Sequence, residues 1–178
     1  MSGGPANAWV TAWVGLGGNV GDRGAALRAG VDGLADVDGV VVEAVSGVWE
    51  TSPVGPVAQG MYFNAAARVS TRLSARALLG VMMAVERSAG RDRMREERWG
   101  PRRLDLDLLM FGDAVIDEDG LRVPHPGLAS RLFVLAPLDE VASGVVVPGS
   151  GRSVASLRAE ADAAGLERVR RVGALGAV

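Results

Sequence analysis

The chain passes between two hydrophobic periods in the order strand, helix, strand, strand, helix, strand, and few folds satisfy that order. Trp9 to Leu16 is β-branched and aromatic and runs into Gly17-Gly18-Asn19, a buried strand ending in a turn. Asp22 is placed to cap a helix whose Leu27, Val31 and Leu34 share one face. Val40 to Trp49 reads as a second strand, followed by the loop Thr51-Ser52-Pro53-Val54-Gly55-Pro56, whose prolines cannot serve a central ladder. Tyr62 to Ser70 reads as a third strand. Ser74 opens a second helix with Leu78, Met82 and Val85 on one stripe, and Gly90 is placed to end it in the left-handed conformation. An arginine-rich loop leads into a fourth strand, Arg103 to Phe111.

That order is the split βαβ arrangement, which predicts an α+β fold of ferredoxin-like type, with helices covering a mostly antiparallel sheet. Beyond the fourth strand the pattern predicts a turn near Asp119-Gly120, a helix from about Pro137 to Val141 and a last helix over Val154 to Ala164. Gly173 to Val178 reads as a loose tail. The expectation is one domain over 1–178, with its core at about 9–150 and the last helix and tail over 151–178. Hydrophobic residues make up 48% of the chain and charged residues 22%, enough apolar surface for a real core. No apolar run approaches the roughly 20 residues needed to cross a bilayer, and no basic segment precedes an apolar stretch at the start. A cytoplasmic protein with no membrane partner is expected.

There is no Cys and no Lys; every basic residue but the lone His is Arg. Thiolate metal sites, cysteine nucleophiles, Schiff-base lysines and a Walker-type phosphate lysine all drop out, so anions must be held by guanidinium groups or backbone N–H. The Gly15 to Val20 turn lacks the third glycine of a dinucleotide fingerprint and reads as punctuation between strand and helix. Net charge is −2, giving no general attraction to nucleic acid. The arginines cluster, however: Arg87, Arg91, Arg93, Arg95, Arg98, Arg102 and Arg103 face only Asp92, Glu96 and Glu97 in one stretch.

In the fourth strand Asp105 and Asp107 share a face, with Leu104, Leu106 and Leu108 on the other. Two carboxylates so spaced repel by roughly 2 kcal/mol at an effective dielectric of about 20, which a divalent cation or an Arg must answer. The pair is either the solvated face of a strand or a seat for Mg²⁺, which takes one or two carboxylates and completes its shell with water and phosphate. The Arg loop is either a solvated, partly self-paired run or a phosphate clamp, and Trp99 within it has no obvious core to enter and could close over a flat ligand. Tyr62 and Asn64, two apart on one strand, offer a ring beside an amide, as a planar polar heterocycle requires, or else a buried Tyr and a backbone-satisfied Asn. Glu86 lies where the helix dipole disfavours an anion and needs a cationic or ligand donor. His125, between Pro124 and Pro126, is either structural or a phosphate contact.

Taken in order, Gly17-Gly18-Asn19, the Thr51 to Pro56 loop with Tyr62-Phe63-Asn64, Glu86 with Gly90-Arg91, Arg98-Trp99-Gly100-Pro101-Arg102 with Leu104-Asp105-Leu106-Asp107, and Val123-Pro124-His125-Pro126 with Arg131 to Leu138 closely resemble the 6-hydroxymethyl-7,8-dihydropterin pyrophosphokinases of folate biosynthesis. The resemblance implies transfer of pyrophosphate from ATP to a pterin hydroxymethyl group, releasing AMP, on a ferredoxin-like αβα scaffold with two Mg²⁺ ions. By position it implies that Asp105 and Asp107 hold the metal, and that Arg91 and Arg102 contact phosphate and support the rate. It implies that Thr51, Ser52, Pro53, Val54, Tyr62, Asn64, Trp99 and Phe133 bind the pterin. Glu86, Arg93, Trp99, Arg102, His125 and Arg131 match nucleotide-side positions. Gly18 stands where the family usually has Ser, Met83 where a polar residue is common, and the loop from Arg91 to Trp99 carries one extra residue. A monomer acting on small molecules is expected. The rival from another class is a ferredoxin-like RNA-binding module, with the Arg loop on the backbone and Tyr62 stacking a base.

Overall fold

The computed structural model describes residues 8–53, 55, 57–91, 100–165 and 167–175. In chain order its elements are β1 (Val10–Gly18), α1 (Arg23–Ala35), β2 (Val40–Val45), β3 (Gly47–Thr51), β4 (Tyr62–Thr71), α2 (Ala75–Ser88), β5 (Asp105–Phe111), β6 (Ile116–Glu118), β7 (Leu121–Val123), a 3₁₀ turn (Leu128–Ser130), α3 (Leu132–Ala142), β8 (Val146–Val147), β9 (Arg152–Ser153), α4 (Val154–Ala164) and β10 (Val169–Ala174). The six-stranded sheet runs β10-β3-β4-β1-β5, with β2 also paired to β4, and every pairing is antiparallel. With β2 and β3 counted as one broken strand, this is the ferredoxin-like order. The first and fourth strands meet, so the glycines ending β1 lie beside the aspartates opening β5.

The caps read from the sequence are in place: Asp22 accepts from the Ala25 N–H and Ser74 from the Ala77 N–H, each satisfying a donor that a helix leaves open. Gly90 takes φ +91° after the last turn of α2. Leu27, Val31 and Leu34 of α1 are buried with Leu78 and Met82 of α2 against Leu104, Leu106 and Leu108. The stripe of α2 then continues through Glu86 at 1% exposure, while Val85 packs at its margin. On the opposite face Trp13, Leu109 and Met110 meet Val134, Leu135 and Leu138 of α3 and Leu157 of α4, giving helices on both faces of the sheet.

Three expectations are corrected. The strand over Val40 to Trp49 breaks at Ser46, whose hydroxyl accepts from the Ala66 N–H at 2.8 Å in place of a regular ladder bond. The helix expected at Pro137 begins at Leu132, and Pro137 lies inside it; burial of Leu132, Leu135, Ala136 and Leu138 outweighs the missing N–H. Part of the expected loose tail is ordered: Gly173 and Ala174 belong to β10, which pairs with β3, and Leu175 is buried. Residues 176–178 lie outside the described residues.

Leu104, fully buried one residue before Asp105, ties β5 to the core. Leu104→Ala is expected to lower unfolding free energy by about 3 kcal/mol, read from the denaturation midpoint at unchanged slope.

Candidate active site

One pocket gathers residues that are far apart in sequence: Thr51 and Ser52 at the end of β3, Tyr62 and Asn64 on β4, Arg102, Asp105 and Asp107 around the start of β5, and Arg131 and Phe133 at the start of α3. Its floor is the β1 backbone at Gly15, Leu16 and Gly17. Position 17 is glycine for a steric reason. A Cβ on Gly17 would come within 2.9 Å of Asn64 Oδ1, closer than real Cβ atoms approach. Asn64 is held in turn by donating through Nδ2 to Thr51 Oγ1 at 2.7 Å, and both side chains are buried. Tyr62 donates its hydroxyl to Gln59 Oε1 at 3.0 Å. Arg131 lies over the Phe133 ring at 5.7 Å.

The acidic end of the pocket is asymmetric. Asp105 accepts from Arg91 Nη1 through one oxygen and from Arg102 Nη1 at 2.6 Å through the other. Arg91 is 8% exposed and also donates to Glu86 Oε1 at 2.5 Å, the atom that accepts the Leu106 N–H at 2.8 Å. Glu86 therefore answers its position at the helix end by holding Arg91 and the β5 backbone. Its effect on any nucleotide would pass through Arg91. Burial pushes the Asp105 carboxyl up, yet the guanidinium groups of Arg102 and Arg91 outweigh it and hold the carboxyl below the usual range.

Among the described residues Asp107 pairs with His125, whose Nε2 stands 3.8 Å from Oδ1, and not with a guanidinium group. Although 43% of its side-chain surface is open, the carboxyl sits in a cleft, and desolvation, then the Asp105 charge, push it up to about 6. His125 accepts the Gly127 N–H at Nδ1, which in the neutral ring leaves the proton on Nε2 facing Asp107. Desolvation and the Arg131 charge lower the His125 pKa. A second cleft, lined by Leu79, Asp107, Gly120, Leu121, Arg122 and His125, opens on the far side of Asp107.

The donor set fits a hard divalent cation. It offers carboxylate oxygens, those of Asp107 raised in pKa by desolvation and then by the Asp105 charge; among the described residues there is no group of three or more His, Cys, Asp or Glu side chains placed to hold a metal. Mg²⁺ suits such a seat, because it keeps most of its shell for water and phosphate.

The sequence reading missed a linchpin, Asn19. Its Oδ1 accepts the Arg102 N–H at 2.8 Å, while Nδ2 donates to Gln59 Oε1 at 2.9 Å and the Gly60 carbonyl at 3.2 Å. The Asn19 and Val20 N–H groups donate to the Arg102 carbonyl. Gly18 permits this contact: a Cβ there would fall 2.3 Å from the Arg103 carbonyl oxygen, so the family's usual Ser would require the backbone at 102–103 to shift. The GGN turn therefore does more than end a strand; its only sequence signal was two glycines followed by an amide. Met83 is half-buried on α2. Pro53 follows Ser52 outside the pocket lining. Val54, Arg93 and Trp99, with the extra loop residue, lie outside the described residues.

An antiparallel ferredoxin-like sheet with helices on both faces and a small-ligand pocket floored by its first strand defines the class. Residues 13–143 match the family model described as 7,8-dihydro-6-hydroxymethylpterin-pyrophosphokinase (HPPK). A relative from Methylorubrum extorquens named 2-amino-4-hydroxy-6-hydroxymethyldihydropteridine pyrophosphokinase is 39% identical over 158 residues, covering 89% of this chain and 98% of its own. One of the same name from Bacillus subtilis is 43% identical over 134 residues, 75% of this chain and 79% of the relative. The chain belongs to the HPPK family. Its fold is also that of the crystal structure of Plasmodium falciparum HPPK-DHPS wild type with pteroate, at TM-score 0.68 and 13% identity over 86% of this chain. It spans only 44% of that longer polypeptide.

With desolvation and the Asp105 charge pushing the Asp107 carboxyl up to about 6, Mg²⁺ affinity is expected to fall as pH drops through that value, by up to about tenfold per pH unit. Calorimetric titration on either side of that pH checks this, and Asp107→Asn should abolish most of the dependence.

Proposed function

We propose that this chain, working as a cytoplasmic monomer of one domain, transfers pyrophosphate from ATP to the hydroxymethyl group of 6-hydroxymethyl-7,8-dihydropterin in folate biosynthesis. The observation that carries the reading is the single pocket in which two rings, a buried amide, two carboxylates and two guanidinium groups converge. Tyr62 and Phe133 supply flat apolar surfaces, and Asn64 with the Thr51–Ser52 segment supplies hydrogen-bonding groups for the edge of a heterocycle. Val54 and Trp99 belong to this set by their sequence positions. The cleft beyond Asp107, with His125, would take the nucleotide, with Asp107 lining both spaces and Arg131 lining the first.

The pterin hydroxyl oxygen attacks the β-phosphorus of ATP; a P–O bond forms, the α–β bridging bond breaks with its electron pair on AMP, and the hydroxyl proton passes to water. Asp105 and Asp107 would hold two Mg²⁺ ions, which supply charge neutralisation to the polyphosphate when bound. Arg102, one-quarter exposed, can exchange its bond with Asp105 for phosphate oxygen. Arg91 stays buried on Glu86 and acts as a fixed positive charge behind the acidic pair. Positioning and fixed charge account for the rate; with Asp105 and Asp107 committed to metal and His125 to phosphate, no side chain is left over as a general base. The RNA-binding alternative has nothing in its favour, since the tyrosine and the acidic pair share one pocket.

Incubation with ATP, Mg²⁺ and the hydroxymethyl pterin should yield AMP; ADP instead, or no nucleotide product, would reject the reading. Asp105→Ala and Asp107→Ala should each lower turnover at least about a hundredfold with the fold intact by circular dichroism. Arg102→Ala should lower kcat far more than it weakens pterin binding, as measured by pre-steady-state kinetics and calorimetry.

A further inference from the structure

We propose that Glu167 is a positioning residue for the pterin pocket, acting with the two residues after it to hold the pocket's two walls in register. The proposal rests on the pterin reading of that pocket and concerns a segment outside the matched region, 13–143.

A helix start leaves backbone donors that need partners. At the start of α3 the N-cap residue is Arg131, whose side chain makes no capping bond and lies over the Phe133 ring instead. The Phe133 N–H donates to Glu167 Oε2 at 2.9 Å, from a residue 34 positions further along the chain. A carboxylate there also meets the positive end of the helix dipole. Glu167 thus caps the first turn of α3 from a distance, and that turn carries the ring.

The next two residues hold the other wall. The Arg168 carbonyl accepts the Ser52 N–H at 3.2 Å, and Val169 is the register partner of Thr51 in the β10–β3 pairing. Thr51 in turn accepts from Asn64. Three consecutive residues therefore tie the ring on α3 to the hydrogen-bonding edge on β3. Glu167 does not line the pocket, so its influence must pass through Phe133. Stacking on a ring depends on its offset and spacing, and a frayed first turn would move the ring without removing it.

The test uses the full chain with Glu167→Ala and Glu167→Gln. Glu167→Ala is expected to raise the pterin KM about fivefold while leaving the ATP KM and kcat nearly unchanged, and Glu167→Gln, which keeps an acceptor, should recover most of the loss. In a Phe133→Leu background, Glu167→Ala should add little, because both changes act on the same contact. An unchanged pterin KM, an ATP KM rising in step, or no rescue by Gln would overturn the proposal. Amide exchange at Phe133 reports the tether without any turnover. It should quicken in Glu167→Ala and return toward wild type in Glu167→Gln; identical exchange in all three proteins would reject the tether. A wild-type chain that releases no AMP would reject the pterin reading instead.

Discussion

The site depends on a buried ion cluster, Glu86–Arg91–Asp105–Arg102. Burial of Glu86 and Arg91 would be costly for either alone, and each becomes tolerable because the other is there with further hydrogen bonds to complete it. Through the Leu106 N–H, the cluster fixes the height at which β5 begins relative to α2. It also separates two aspartates that the sequence presents as equals. Asp105 is held ionised by guanidinium groups, whereas Asp107, two residues on, is left with desolvation and its neighbour's charge and is pushed up to about 6. One acid is thereby prearranged on guanidinium groups and the other is not.

Around that cluster, the pocket is built by close backbone approach. Gly17 lets Asn64 lie across β1, and Gly18 lets the 102–103 backbone come up against the strand end, where Asn19 fastens it. Asn19 then reaches Gln59 and Gly60, so the arginine end and the aromatic end share one amide. A displacement at either end is felt at the other through a chain of short polar contacts. This is the arrangement expected where two substrates must meet in line and geometry supplies much of the rate.

Much of the fold was legible because local signals agreed with tertiary demands. The Asp22 and Ser74 caps, the leucine stripe of α1 and the alternation of β5 each reported the same structure that packing then required. The misreadings have a common cause. Ser46 breaks a strand by a side-chain bond to a neighbouring strand, α3 carries a proline that burial overrides, and β10 is Arg-rich and short, held at a sheet edge by pairing with β3 and by the Arg170–Glu50 and Arg171–Glu140 ion pairs. None of these partners is local in sequence. In the site, the residues with distinctive chemistry were legible, whereas the contacts of Gly17, Gly18 and Asn19, seen only as a motif, and of Glu167 were not, because a glycine, an amide or a lone surface acid shows no role until its neighbour is known.

The sequence by itself determined the order of elements, the pairing of two acids on one strand face, the reliance on arginine for anion binding and the resemblance to a pyrophosphokinase family. These follow from period, residue chemistry and motif order, which are properties of the chain read locally. Only the tertiary structure decided which aspartate is neutralised, why position 17 of the floor is glycine, and that a stretch near the C-terminus braces the ring at the start of α3. Each of those depends on distances between residues remote in sequence, and such distances exist only after the sheet has brought β1, β5 and β10 to their places.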